Sequence, residues 1–153
     1  MSEFDVWTLE FKEGEEIPKD CGYKHGNRQP QIQIGLQGKQ PVGTKTLALI
    51  MDDPDAMAAV GKVWVHWLRY HRASDGIPET SGLNALAING KNDFGEIGYG
   101  GPAPPDKRHT YVFKAYALDI WLDLKEGYSK QELEDAMKGH IIAEAKLTGT
   151  FAP

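Results

Sequence analysis

The sequence predicts a mostly β protein in which two largely antiparallel sheets pack face to face. Six or more short segments have the composition or the apolar alternation of strands. The 17 glycines and 9 prolines interrupt the chain at many turns, as in β-rich folds. Only one segment has clear helix signals, so few helices are available to cover a parallel sheet. A β-sandwich of one domain, residues 1–153, with one C-terminal helix and short helical turns, is the economical solution.

The first strands are predicted from alternation and from one continuous apolar run. Residues 7–11 (WTLEF) and 32–36 (IQIGL) alternate apolar and polar side chains, which is typical of strands with one face on a core. The run from Thr46 to Met51, apolar at every position from 47 onward, indicates a strand buried on both faces. The residues expected on the core face of the opening strand are Trp7, Leu9 and Phe11.

Residues 63–70 (VWVHWLRY) are predicted to form a further strand, preceded by a short helical turn at 56–59. Side chains alternate between the two faces of a strand. We therefore expect Val65 and Trp67 to share one face, and His66 to lie on the other face among large apolar neighbours.

The second half of the chain contains the clearest helix signal. A short strand at 86–88 precedes a Gly- and Pro-rich loop, and the loop runs into an alternating strand that begins at His109. Ser129 and Glu132 have the capping-box spacing, so a helix should begin there, and Gly139 is placed to end it in a left-handed conformation. Residues 141–148 alternate again and predict the final strand.

Composition excludes some functions and favours a cytoplasmic protein. The net charge of −5 argues against general nucleic-acid binding, which relies on basic surface. Cys21 is the only cysteine, so neither an intrachain disulfide nor a cysteine metal cluster is expected. The N-terminus has no basic leader and no segment is apolar enough to span a bilayer, so we expect a cytoplasmic protein without a transmembrane segment. A chain of 153 residues can bury enough surface to form a core, so we expect no cofactor to be needed for stability.

The residues with the strongest functional pattern lie in and after the loop at 92–105. Its glycines allow backbone N–H groups near Gly101 and Ala103 to approach a ligand, and prolines such as Pro105 stiffen it. His109 and Tyr111 follow on one face of a strand. A rigid loop with free N–H groups beside these two side chains predicts a receptor for a small anion.

Asp53, Asp55 and His66 are the candidates for the other half of such a site. A carboxylate beside two imidazoles fixes the histidine tautomers. If these residues form the predicted anion site, His66 and His109 donate hydrogen bonds to the bound oxyanion. Each residue also has a structural interpretation. The aspartates can accept hydrogen bonds from turn N–H groups around Pro54. His66 can be a core histidine, and the spacing of Tyr111 is that of a core residue.

Two other classes of function stay open on the residues alone. A hydrolase or lyase would use a His–Asp pair as general acid and base on an ester or phosphoester, although no G-x-S-x-G nucleophile is present. A metal site would use the two histidines and two aspartates, but no H-x-x-x-H or cysteine pair supports it.

Five runs in the sequence carry a family resemblance. They are LALIMDDPDA (47–56), VHWL (65–68), NDFGEIGYGGPAPP (92–105), HTYVFKAYALD (109–119) and GHIIAEAKLTGTF (139–151). Together they resemble the phosphatidylethanolamine-binding protein family, in particular its bacterial and archaeal Raf kinase inhibitor-like branch. The resemblance covers nearly the whole chain and implies a β-sandwich with Greek-key features and a pocket for phosphate, a carboxylate or a phosphorylated headgroup.

The resemblance also implies which residues form the pocket and how the protein acts. It implies a non-enzymatic binding module that regulates a kinase or a protease through the pocket; a homodimer is left open. Met57 stands where the family usually has a proline that forms a pocket wall, so we expect the pocket mouth to differ. The residues carried over to the pocket are Asp53, Asp55, His66, Gly101, Ala103, Pro104, Pro105, His109 and Tyr111.

Overall fold

The computed structural model describes residues 4–35, 40–73 and 87–153. Two predicted positions, Leu36 and Leu86, lie outside these ranges. The strands are β1 (Val6–Trp7), β2 (Gln33–Ile34), β3 (Thr46–Asp53), β4 (Trp64–Arg72), β5 (Ile88–Asn89), β6 (His109–Leu118) and β7 (Ile141–Phe151). The helices are α1 (Ala56–Val60), α2 (Lys130–Met137) and one 3-10 turn (Lys19–Cys21).

All strand pairs within the two sheets are antiparallel. The main sheet has the order β5-β4-β3-β6-β7, and β1 and β2 form a second, two-stranded sheet. Strands β3, β4 and β5 are neighbours in both sequence and space, and β6 returns to lie beside β3. This spatial order is that of a Greek key. The predicted antiparallel architecture is therefore confirmed.

The two faces of β3 are buried against different layers, as its continuous apolar run predicts. Leu47, Leu49 and Met51 belong to the cluster that includes side chains of the small sheet and the N-terminal segment. Ala48 and Ile50 belong to a second cluster, which includes side chains from α2. The main sheet is thus covered on one side by the small sheet and on the other by the C-terminal helix.

The opening strand is shorter than the alternation predicts, and its predicted core face is wrong. β1 pairs with β2 over only two residues, and the chain then bends, with the Thr8 hydroxyl donating to the Gln31 carbonyl (2.7 Å). Past the bend the period of two no longer applies. Phe11 is buried as expected, but Leu9 is 89% exposed, and Val6 rather than Trp7 is the buried residue of β1.

The predicted division of β4 into faces is also wrong, because the strand contains a bulge. Met51 pairs with Trp67 and Asp52 with Val65, so His66 is an extra residue with no partner on β3. An extra residue shifts the alternation beyond it by one position. Trp67 therefore lies with Met51 in the first cluster, whereas Val65 lies with Leu68 in the second.

The C-terminal helix begins and ends as its signals predict. The Ser129 side chain accepts from the Glu132 N–H (3.0 Å), and the Glu132 carboxylate accepts from the Ser129 N–H (3.0 Å). Gly139 follows the helix with a φ of 82°. Leu133 and Met137 form the buried stripe of the helix, and β7 then runs as the edge strand beside β6.

Candidate functional site

A cavity of about 140 Å³ opens where β3, α1, β4 and β6 meet at one end of the main sheet. Four ionisable side chains contribute to its lining, and the rest of the lining is apolar. The ionisable residues are Asp53, His66, His109 and Tyr111, each at most 3% exposed. The apolar residues are Ala56, Ala59, Val60, Trp64, Phe94, Ala103 and Pro105.

The antiparallel register and the β4 bulge bring the polar residues together. Asp53 ends β3 beside the first residue of β4, because it pairs with Trp64. Asp52 pairs with Val112, so the end of β3 lies beside the start of β6. The bulge places the His66 ring edge-on to the ring of Tyr111, with 5.2 Å between their centroids.

His109 is held between two carboxylates. Its Nδ1 lies 2.6 Å from Asp53 Oδ2, and its Nε2 lies 2.7 Å from Asp106 Oδ1. Burial is the largest single influence and lowers the pKa of His109, but the hydrogen bonds to both aspartates outweigh it and raise the pKa overall. His109 is therefore an imidazolium, and each of its two ring N–H groups donates to a carboxylate.

His66 is buried in a different environment and has the opposite charge preference. Its Nδ1 donates to the Gly100 carbonyl (2.6 Å), and the Gly100 N–H donates to the His66 carbonyl (2.8 Å). Burial lowers the pKa of His66 more than the Gly100 carbonyl raises it. The ring is therefore neutral, and with the proton on Nδ1 its Nε2 carries a lone pair.

Three polar atoms of the cavity lining are buried without a hydrogen bond of ordinary geometry to the described part of the chain. They are Asp53 Oδ1, the Tyr111 hydroxyl and Trp64 Nε1. Burial raises the pKa of Tyr111, and the charge and closeness of the Asp53 carboxylate raise it further, so the phenol keeps its proton although the Ala103 backbone lowers the pKa. Buried polar atoms that lack a partner cost stability, and their presence in a cavity indicates a place for a ligand.

The mouth of the cavity is aromatic. Phe94 packs edge-on against Trp64 (centroids 5.6 Å apart) and against His66 (5.7 Å). The outer face of Phe94 stacks on Tyr23 at 3.8 Å, and the Tyr23 hydroxyl donates to Glu96 (3.1 Å). This arrangement gives the polar floor a rigid apolar entrance.

Asp55 and Gly101 do not line the cavity. The Asp55 carboxylate accepts from the Thr110 N–H (2.8 Å) and so joins α1 to the start of β6. The Gly101 N–H donates to Asn27 Oδ1 (2.7 Å). A Cβ at position 101 would lie 2.0 Å from the Cys21 carbonyl, so glycine is required there by close backbone packing. Ala103 and Pro105 do contribute to the wall.

Several residues at the site were not among the sequence candidates. Asp106 contacts His109, and Trp64 and Phe94 form the mouth. The side chains of α1 form the wall that was expected near position 57, whereas Met57 itself is 54% exposed and outside the lining. The spacing of Asp106, three residues before His109, is the one signal in the sequence that could have indicated its contact.

Two further side chains that could carry chemistry, Cys21 and Arg108, lie outside the cavity lining. Cys21 is buried, and burial raises the pKa of its thiol to about 11, which makes it a poor nucleophile. Arg108 pairs with Glu16 (3.3 Å) and does not line the cavity. Among residues 4–35, 40–73 and 87–153, no group of three or more His, Cys, Asp or Glu side chains is arranged to hold a metal ion. In the same ranges, no helix is long and apolar enough to cross a membrane.

The chain matches one family model and several bacterial and archaeal relatives. The model described as phosphatidylethanolamine-binding protein matches residues 7–152. A UPF0098 protein of Chlamydia muridarum is 40% identical over 143 residues, covering 92% of this chain and 93% of that protein. A UPF0098 protein of Methanothermobacter thermautotrophicus is 44% identical over 117 residues, covering 72% and 76%.

Solved structures show the same fold. The phosphatidylethanolamine-binding protein homolog CT736 from Chlamydia trachomatis superposes with a TM-score of 0.82 at 35% identity, with 98% of each chain covered. The Escherichia coli protein YbcL, described as a member of the mammalian PEBP family, superposes with a TM-score of 0.78 at 29% identity, again with 98% coverage of each chain.

Proposed function

Because this chain belongs to the phosphatidylethanolamine-binding protein family, we propose that its cavity binds a small molecule that carries a phosphate or carboxylate group. The observation that carries this proposal is the floor of the cavity. There, Asp53 Oδ1 and the Tyr111 hydroxyl lack hydrogen bonds of ordinary geometry to the described residues, and they lie beside two histidines of opposite charge preference.

The dimensions of the cavity favour a headgroup over a complete lipid. About 140 Å³ is enough for a phosphate or carboxylate with a few further atoms. The walls formed by α1, Trp64 and Phe94 suit a short apolar stem that leads from the headgroup toward solvent. A phosphorylated side chain has the same chemistry, and by this route the protein would regulate a kinase or a protease.

A thermal-shift titration with inorganic phosphate and phosphoethanolamine tests the proposal. A ligand that binds only the folded state stabilises it by RT ln(1 + [L]/Kd), which is about 2.7 kcal/mol at one hundred times Kd. We expect saturable shifts for the wild type and much smaller shifts for His66→Ala and His109→Ala.

Asp119→Asn is the matched control, because Asp119 forms an exposed pair with His140 (2.9 Å) and does not line the cavity. It should respond like the wild type. The absence of a shift in the wild type, or equal shifts in all four proteins, would show that the cavity does not bind these ligands.

A hydrolase or lyase reaction at the same site is less well supported. His109 has no free lone pair for a general base, and Cys21 is buried with a raised thiol pKa. Turnover of a panel of esters and phosphoesters that disappears in Asp53→Asn would favour the enzyme over the binding protein.

A further inference from the structure

The floor of the cavity offers two hydrogen-bond acceptors that no described side chain uses. Both N–H groups of His109 are used by Asp53 and Asp106, and the Nδ1 proton of His66 is used by the Gly100 carbonyl. This leaves the lone pair of His66 Nε2 and the unpartnered Asp53 Oδ1 as acceptors. The side-chain donors that remain in the lining are the Tyr111 hydroxyl and the Trp64 Nε1–H.

The charges around the floor do not favour an oxyanion that carries no proton. The lining contains no lysine or arginine. Lys62, near Trp64, is paired with Asp93 (3.0 Å). The positive charge of His109 is offset by the two carboxylates that contact it. A bare oxyanion would therefore place its lone pairs against Asp53 Oδ1 in a buried site, at a large electrostatic cost.

A ligand that retains one acidic proton satisfies the same groups. Its O–H donates to Asp53 Oδ1, and another of its oxygens accepts from the Tyr111 hydroxyl. We propose that the cavity selects weak oxyacids, such as phosphate monoesters and carboxylic acids, in a form that retains one proton, and rejects oxyanions that carry none. This inference rests on the proposed function and specifies the class of ligand.

The titratable groups that face the floor come from each element packed against it. His109 on β6 has a raised pKa, His66 on β4 a lowered pKa and Tyr111 a raised pKa. The carboxylates of Asp55, Asp93 and Asp106 act on Tyr111, His66 and His109 respectively. The second pKa of a phosphate monoester is about 6, so near pH 7 a monoester that binds with one proton must take that proton up on binding.

Titration calorimetry of the wild-type protein with three tetrahedral anions tests the inference. Inorganic phosphate carries a proton at pH 7, sulfate carries none, and methyl phosphate is mostly a dianion. We expect sulfate to bind about ten- to a hundredfold more weakly than phosphate, because it leaves Asp53 Oδ1 unpaired. We expect methyl phosphate to take up nearly one proton on binding, as measured in buffers of different ionisation enthalpy, and to bind more tightly as the pH falls from 7 to 5.

Asp53→Asn is the informative variant, because the amide replaces a buried acceptor with a donor. In Asp53→Asn we expect sulfate to bind within about twofold of phosphate, and proton uptake by methyl phosphate to fall to nearly zero. Asp119→Asn removes the same charge from the surface and should retain the discrimination and the proton uptake of the wild type.

The results of these titrations distinguish a failure of this inference from a failure of the proposed function. Equal binding of sulfate and phosphate by the wild type, or binding of methyl phosphate without proton uptake, overturns the inference and leaves the proposed function intact. Binding of none of the three anions overturns the proposed function and the inference together. If Asp53→Asn does not fold, as judged by circular dichroism, the wild-type comparison of sulfate with phosphate decides alone.

Discussion

His66 and His109 show how single residues of one type acquire opposite roles within one cavity. Both side chains are almost completely buried. A backbone carbonyl faces His66, whereas two carboxylates face His109. A neutral hydrogen-bond acceptor and an imidazolium held by two carboxylates therefore line the same cavity.

The raised pKa of His109 predicts a loss of stability at alkaline pH. An unfolded histidine titrates at about 6.5, so the contribution of His109 is fully present below that pH and is lost as the pH rises through the higher folded value. The free energy of unfolding of the wild type, measured with urea, should be lower at pH 9 than at pH 6.5. His109→Gln should be less stable at pH 6.5 but should lack this part of the decline. An equal decline in both proteins would contradict the assignment.

The lowered pKa of His66 acts in the opposite direction. Its contribution is present above pH 6.5 and is lost as the pH falls toward the lower folded value.

Replacing Tyr111 by phenylalanine should raise the stability of the protein and weaken its binding of phosphate. The Tyr111 hydroxyl lies near the Asp53 carboxylate but makes no hydrogen bond of ordinary geometry to the described residues, so Tyr111→Phe removes a poorly satisfied group and should raise the free energy of unfolding by about 1 kcal/mol. The same change removes the free donor of the cavity floor and should weaken phosphate binding about tenfold. Chemical denaturation and calorimetry measure the two effects. A less stable variant with unchanged phosphate affinity would show that the hydroxyl is structural.

The sequence predicted which residue types form the site better than it predicted their contacts. Asp53, His66, His109 and Tyr111 line the cavity, but Asp55 bonds a backbone N–H outside it. A carboxylate in a turn has the same sequence signature in both roles, because the choice depends on which N–H lies in reach.

At the level of secondary structure, local signals succeeded where the local chain alone determines the geometry. The start of α2 depends on four consecutive residues and was predicted to the residue. The bulge at His66 depends on how β4 pairs with β3, and an apolar strand buried on both faces carries no pattern that would reveal it. The bend that ends β1 has the same origin in a long-range contact, between Thr8 and Gln31.

The capping box of α2 should contribute measurably to stability. Ser129→Ala removes the acceptor for the Glu132 N–H and should lower the free energy of unfolding by about 1 kcal/mol. Gln131→Ala, which removes only an exposed contact with Asp135 (2.9 Å), should cost about 0.5 kcal/mol or less. Equal losses in the two variants, measured by urea unfolding, would argue against the cap.

For the molecule as a whole, one buried carboxylate joins the layer of α2 to the main sheet. Asp52 is 1% exposed, and its Oδ2 lies 3.0 Å from the ammonium groups of both Lys114 on β6 and Lys130 on α2. Asp52→Asn should lower the free energy of unfolding by about 2 to 3 kcal/mol, because it removes the charge that pairs both lysines. Asp119→Asn provides the surface comparison for denaturation, and equal stability of the two variants would contradict this role.

The architecture of the molecule explains why the candidate site lies where it does. The Greek-key order places the end of β3 between the starts of β4 and β6, and the loop at 92–105 closes the remaining side. Strand composition and the order of motifs were enough to predict this fold. The uneven size of its two sheets was not predictable, because the alternation at residues 7–11 and 32–36 does not show how few of those residues pair.

A crystal structure of the wild-type protein at saturating phosphate tests the central claim most directly. The cavity should contain tetrahedral density within hydrogen-bond distance of Asp53 Oδ1 and the Tyr111 hydroxyl, with His109 still between its two carboxylates. An empty cavity, or phosphate bound only outside it, would contradict the claim that this cavity is an oxyanion site.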